Sequence, residues 1–233
     1  MIWVKDMTGR FRERPHFEPG ELDLDAEKML SDFFIPKYGQ IVIPIVTDEL
    51  TLLIEKDTSD FDMFADLSTQ GDDVEGMTDF FKDKKPVVKI SKFLSEESSS
   101  ENRLRTTLTH EYAHVKVHAS LWMASQMKFD VCCIKGPCCK REIIINSPKT
   151  DWMEWQAGYI SGALLMPITD IKELVYNFFI KNNLYGSVDV ASSLSEELVV
   201  RVMQRYEVSR DAARVRLSQL GFLAKTGPQK SLL

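Results

Sequence analysis

Apolar and polar positions follow a mixed pattern in the front half of this chain and a helical one behind it. Over residues 21–38, Leu22, Leu24, Met29, Leu30, Phe33 and Phe34 recur among acids at helical spacing, which predicts a helix. Ile41–Ile45 alternates around Pro44 and predicts a short strand, and Asp48–Glu55 a short helix. Residues 56–84 read as acidic and loop-rich, with Gly71 and Gly76 as breakers. The β-branched run Pro86-Val87-Val88-Lys89-Ile90 predicts a strand, and Pro86 at its start marks an exposed edge. Ser98 followed by Glu101 has the form of a capping box, opening a long helix over about 100–124 with Leu104, Leu108, Val115 and Leu121 as its apolar positions.

Behind it lies a four-cysteine loop with a short strand at 142–145. Helices are then predicted at 151–166 (stopped by Pro167), 168–181, 194–206 and 210–219. Ser209 is a natural N-cap for the last of these, and Gly221 its stop. This order predicts an α+β protein with a small sheet beside one long helix, then an all-helical part ending in a helix-turn-helix-like pair. The expected division is an N-terminal helical segment over 1–40, a central domain over 41–182, a helical subdomain over 183–223 and a tail over 224–233.

Composition narrows the picture. A chain of 233 residues that is 44% hydrophobic and 27% charged has ample material for one large core. Its net charge of −6 argues against a general nucleic-acid binder. No apolar run approaches the ~18 residues that span a bilayer, and Arg10, Arg12 and Arg14 stand where a secretory signal would be apolar. A cytosolic protein with reduced thiols is expected.

The chemistry sits in His110-Glu111-Tyr112-Ala113-His114. Residues four apart on a helix share a face, so His110 and His114 can aim two imidazoles at one ion. Glu111 beside them is placed to take a proton from a water that the ion activates. This is the H-E-x-x-H pattern of zinc hydrolases. A solvated helix bearing two histidines by chance is the bland alternative. It is weakened because three of the four histidines, His110, His114 and His118, share one stripe.

A catalytic zinc usually takes three protein ligands. His118 is excluded as the third by reach: eight residues from His110 is about 12 Å along a straight helix, and nothing between them breaks it. It is expected to orient a ligand, touch substrate or pack. Glu154 is the best third ligand. It opens the next helix, and Gly158, Ser161 and Gly162 on its face would let two helices approach closely. Glu154 could instead cap its own helix as part of Asp151-x-x-Glu154, and Asp151, Glu142 and the cysteines are rivals for the ligand role. Cys132, Cys133, Cys138 and Cys139 form a candidate second metal site, but their two pairs are closer together than zinc-ribbon spacing, and a reduced surface loop is the better reading.

Together, His110–His114 with His118 four further on, and Glu154-Trp-Gln-Ala-Gly-Tyr-Ile-Ser-Gly-Ala-Leu-Leu-Met-Pro167, resemble the ImmA/IrrE metallopeptidases. Their pattern runs roughly H-E-[LIF]-[GA]-H-x-x-x-H, then E-x-x-A-N-x-F-A-x-x-L-L-M-P. Asn102–Arg105 and the stretch from Val208 to Gly221 are also similar, so the likeness covers about 40–223. Tyr112, Ala113, Gly158 and Ile160-Ser161 depart from the common residues without removing a proposed ligand. The four-cysteine loop is no part of that pattern.

The resemblance implies a zincin-like domain and a zinc peptidase, with Mn2+ or another divalent ion as alternatives to zinc. It also implies a helix-turn-helix repressor as substrate, in stress response or mobile-element control, and it supports Glu154 as the ligand. Glu111 is then the general base. His118 and Tyr159 are weak candidates to steady the oxyanion, and the strand Val87, Val88, Lys89 and Ile90 is a candidate edge for an extended substrate. A different class stays open: an anti-repressor that binds without hydrolysis, its metal purely structural. DNA binding by Arg201, Arg205, Arg210, Arg214 and Arg216 on the last two helices is disfavoured against packing or partner binding. No membrane partner is expected.

Overall fold

The structure, a computed structural model, describes residues 1–71, 73–123, 133–140 and 151–225. An antiparallel hairpin comes first, β1 (Ile2–Lys5) with β2 (Glu13–His16). Helix α1 (Pro19–Tyr38) follows, opened by a Glu18–Glu21 capping box and closed by Gly39 at φ 74°. Its fully buried Leu22, Ala26, Leu30 and Phe34 recur every fourth residue, one stripe facing the core. The segment 41–45 expected as a strand is irregular, and Pro44, which has no N–H to give a ladder, follows a cis peptide. Helix α2 (Thr47–Asp57) matches its prediction.

Two strands lie inside the stretch read as loop, β3 (Asp60–Ala65) and β4 (Val74–Phe81). With β5 (Val87–Ser91) and β6 (Cys133–Lys140) they make a four-stranded sheet in the order β3-β5-β4-β6. β5 runs parallel to β3 and antiparallel to β4, so both of its edges are already paired. Val87, Val88, Lys89 and Ile90 therefore offer no open edge to a substrate, which corrects that expectation. Pro86 stands just before β5 and withholds no ladder bond.

The cysteine segment is likewise a strand, not a loop, in its described part: Cys133, Cys138 and Cys139 lie in β6, antiparallel to β4. The pairs Met77↔Cys138 and Asp79↔Lys135 leave an extra residue on β6, a bulge that takes up Gly136-Pro137. Cys132, and with it the four-thiol metal reading, lies outside the described residues, as do Glu142 and the strand expected at 142–145.

After a short α3 (Lys92–Glu96), helix α4 (Glu101–Ala113) starts behind a single 3-10 turn, with Ser100 as its N-cap in place of a box from Ser98. It passes through a π turn at His114–His118 and stays helical to residue 123. Helix α5 (Trp152–Leu165) is capped by Asp151, which accepts from the Glu154 N–H. Apolar on nearly every side, α5 is the central helix, packed against α1 and α4. α6 (Ile168–Asn182), α7 (Ser193–Tyr206) and α8 (Arg210–Gln219) complete the rear, with a two-residue parallel pair of β7 (Val188–Asp189) and β8 (Leu223–Ala224).

One core runs through all of this, from Leu22 of α1 to Leu223 of β8, so the sequence divisions at 40 and 182 do not separate independent cores. Buried Arg105 on α4 donates to the Tyr206 and Glu207 carbonyls and satisfies the C-terminal end of α7. The five arginines of the last two helices are engaged with carboxylates: Arg201 with Glu197, Arg205 with Asp170, Arg210 and Arg214 with Glu196, and Arg216 with Asp23.

Candidate metal centre

The crossing of α4 and α5 brings the predicted ligands together. His110 Nε2 lies 3.0 Å from Glu154 Oε2, His114 Nε2 lies 3.5 Å from Glu154 Oε1, and the two Nε2 atoms are 3.2 Å apart. An ion held tetrahedrally by bonds of about 2.1 Å has donor–donor edges of about 3.4 Å. The observed triangle has that size, and the three side chains form a group able to hold a metal ion. Both imidazoles are fully buried and Glu154 is 3% exposed. Glu154 Oε1 is buried and accepts no hydrogen bond. Burial raises the Glu154 pKa, but His114 and His110 outweigh it and hold the carboxyl far below the usual range. A buried ionised carboxylate and two ring nitrogens form a donor set suited to a divalent cation. The rival Asp151 is occupied otherwise, capping α5 and accepting both Arg10 Nη atoms at 3.1 and 2.6 Å.

The helices are fastened by polar contacts at this crossing. Thr109 and Ser161 hydroxyls meet at 2.7 Å, and Ser161 also donates to the Thr106 carbonyl. Ser161 thus serves the close approach expected of it, whereas Gly162 faces Arg216 of α8.

Glu111 is fully buried against β4. Thr78 Oγ1 donates to its Oε2 at 2.6 Å. Gly76, two residues back on the same face of β4, makes the space: a Cβ there would sit 2.6 Å from Glu111 Oε1. β4 is itself tied to α4, because Glu75 accepts from Arg103 and from Thr107 Oγ1, and to β5 through Lys89 and Asp79 at 2.8 Å. Sequence reading missed this cradle. The signal available was a glycine between two acids in a stretch flanked by Val74, Met77, Phe80 and Phe81.

His118 does not join the triangle. Its Nδ1 lies 2.9 Å from His114 Nδ1, on the far side of that ring, and its Nε2 lies 3.1 Å from Gln156 Oε1. Burial, with His114 next, pushes its pKa down to about 3, so the ring is neutral. The π turn at 114–118 does not bring His118 to the ion site. Tyr159 is turned elsewhere: its hydroxyl donates to Asp23 at 3.0 Å and the Arg216 guanidinium lies over its ring. Burial pushes its pKa up to about 12. Neither residue offers the centre a proton as placed here.

The family model of the IrrE N-terminal-like domain, Peptidase_M78, matches residues 79–218, more than half of the chain. The chain belongs to this ImmA/IrrE metallopeptidase family. A search of curated proteins finds no match. The matched segment contains the three ligand candidates and Glu111; the hairpin, α1, Gly76 and Thr78 lie before it. Among the described residues, no helix is long and apolar enough to cross a membrane.

Proposed function

We propose that this protein is a zinc-dependent endopeptidase of the cytoplasm, and that its substrate is a helix-turn-helix transcriptional repressor whose cleavage relieves repression. The observation that carries the enzymatic reading is the convergence of His110, His114 and Glu154 donors within one ion's reach, in a chain of a metallopeptidase family. The substrate assignment rests on the resemblance in the two motifs and is the part to be tested first.

His110, His114 and Glu154 would hold the ion. When bound, zinc supplies Lewis acidity, making a water more acidic and polarising the scissile carbonyl. Glu111 takes the proton of the attacking water and passes it to the departing amine. Thr78 holds one carboxylate oxygen of Glu111, and Gly76 lets the β4 backbone come close enough for it to do so. Burial of the group excludes bulk water and strengthens each electrostatic interaction in it.

The test is incubation of the full chain and Zn2+ with the repressor encoded beside it. Wild type is expected to cut the repressor, and Glu111→Gln to cut about 10²–10⁴-fold more slowly with its fold intact. A repressor released from DNA at full length, equally by wild type and Glu111→Gln, would support the non-hydrolytic binder instead.

A further inference from the structure

The N-terminal hairpin reaches the metal centre through hydrogen bonds whose directions are fixed at one end. Pro15 in β2 presents a carbonyl oxygen, which accepts and never donates. Gln156 Nε2 donates to it at 3.1 Å. That contact settles the amide orientation and leaves Gln156 Oε1 facing His118 Nε2 at 3.1 Å. An amide oxygen is also an acceptor, so His118 carries its proton on Nε2. The hydrogen-bonding neighbours of His118 are the His114 ring and the Gln156 amide, and the His118 ring is fully buried, which disfavours a second ring proton. Its Nδ1 is then a bare lone pair, and the hydrogen between it and His114 Nδ1, 2.9 Å away, belongs to His114. The Nε2 of His114 is left without a proton, aimed at the triangle with His110 and Glu154.

The hairpin is held in register with this series by separate contacts to the start of α5. Asp6, 5% exposed, accepts from Trp152 Nε1 at 3.2 Å, and Arg10 grips Asp151 with both Nη atoms. Phe11 packs edge-on against Trp152, whose ring in turn stands edge-on to His118. Residues 1–16 all lie outside the segment matched by the family model.

We propose that the hairpin is a positioning part of the metal centre: through Pro15 O, Gln156 and His118 it locks His114 in the tautomer whose Nε2 is free to bind a cation. This rests on the metal reading given above. Outer contacts of this kind typically change metal affinity by about 10–100-fold.

Nitrogen–proton correlation spectra of the metal-free full chain test it directly, since only four histidines need assignment. Wild type is expected to show His114 protonated on Nδ1 and His118 on Nε2. His114 protonated on Nε2 would overturn the proposal without any variant. Gln156→Met fills similar space without either hydrogen bond. It is expected to mix the tautomers of both rings and to weaken Zn2+ binding about tenfold in a chelator competition. A Gln156→Met chain that melts earlier but keeps those signals and its Zn2+ affinity would reduce Gln156 to a packing role and overturn the inference, while the metal centre stands. A wild-type chain that binds no Zn2+ overturns both.

Discussion

Helix α5 carries two buried charged clusters that differ in one respect. Near its start, Glu154 faces His110 and His114. Further along, Tyr159 belongs to a clamp in which Asp23 of α1 meets Arg216 of α8 at 2.6 Å, with Tyr159 donating to Asp23 and Arg216 Nε donating to the Met166 carbonyl. The clamp closes its own charge, one carboxylate against one guanidinium. The centre is built differently: its carboxylate faces two imidazoles and, among the described residues, only His114 has its other nitrogen turned to a neighbour, His118. Burial alone therefore does not mark a functional site. What marks it is a set of buried donor atoms spaced for one ion.

This contrast assigns different consequences to breaking each cluster. Arg216→Met leaves Asp23 buried and unpaired and is expected to cost about 3–5 kcal/mol of folding stability, read from denaturant midpoints. Zn2+ affinity per folded molecule should not change. A loss of affinity with stability intact would erase the distinction between the two regions. On the centre's side, Gly76→Ala drives a Cβ into the Glu111 carboxylate. A displaced base is expected to lower peptide cleavage about 10²-fold while Zn2+ still binds. Unchanged turnover would show that the cradle does not position Glu111.

The smallest effect is expected at the hairpin. Burial raises the Asp6 pKa, but the hydrogen bonds from Thr8, Phe11 and Trp152 together outweigh it, so the folded value lies below normal. A carboxyl depressed in this way contributes stability that is present above its unfolded pKa of about 3.9 and is lost as pH falls through the folded value. Wild type should therefore show a steeper acid limb in a thermal stability profile than Asp6→Asn, with little pH dependence from this group near neutrality. An identical acid limb in both chains would detach Asp6 from the hairpin's anchoring.

Legibility in the sequence followed the range of the interaction. The grouping of the candidate ligands His110 and His114 with the candidate base Glu111 was readable because one helix turn sets their relation. Glu154 was readable because it opens the next helix with small residues on its face, among them Ser161, which meets Thr109 at the crossing. The helices of the rear half were readable from their caps, as Ser209 accepting from the Ala212 N–H illustrates. β4 was not, because its acids Glu75 and Asp79 look like loop residues until their partners Arg103, Thr107 and Lys89 are in place. The hairpin was hidden for the same reason: Arg10 and Pro15 find Asp151 and Gln156 across 141 residues of chain. Tyr159 was drawn toward the centre by its nearness to Glu154 in sequence, and Asp23 holds it elsewhere.

The central claim is that His110, His114 and Glu154 share one cation, and titration of the metal-free chain with Zn2+ tests it most directly. Wild type is predicted to take up one ion per chain with high affinity, and Glu154→Gln, still folded, to lose that binding. Tight uptake that is indifferent to Glu154→Gln, or no uptake by wild type, would contradict the account.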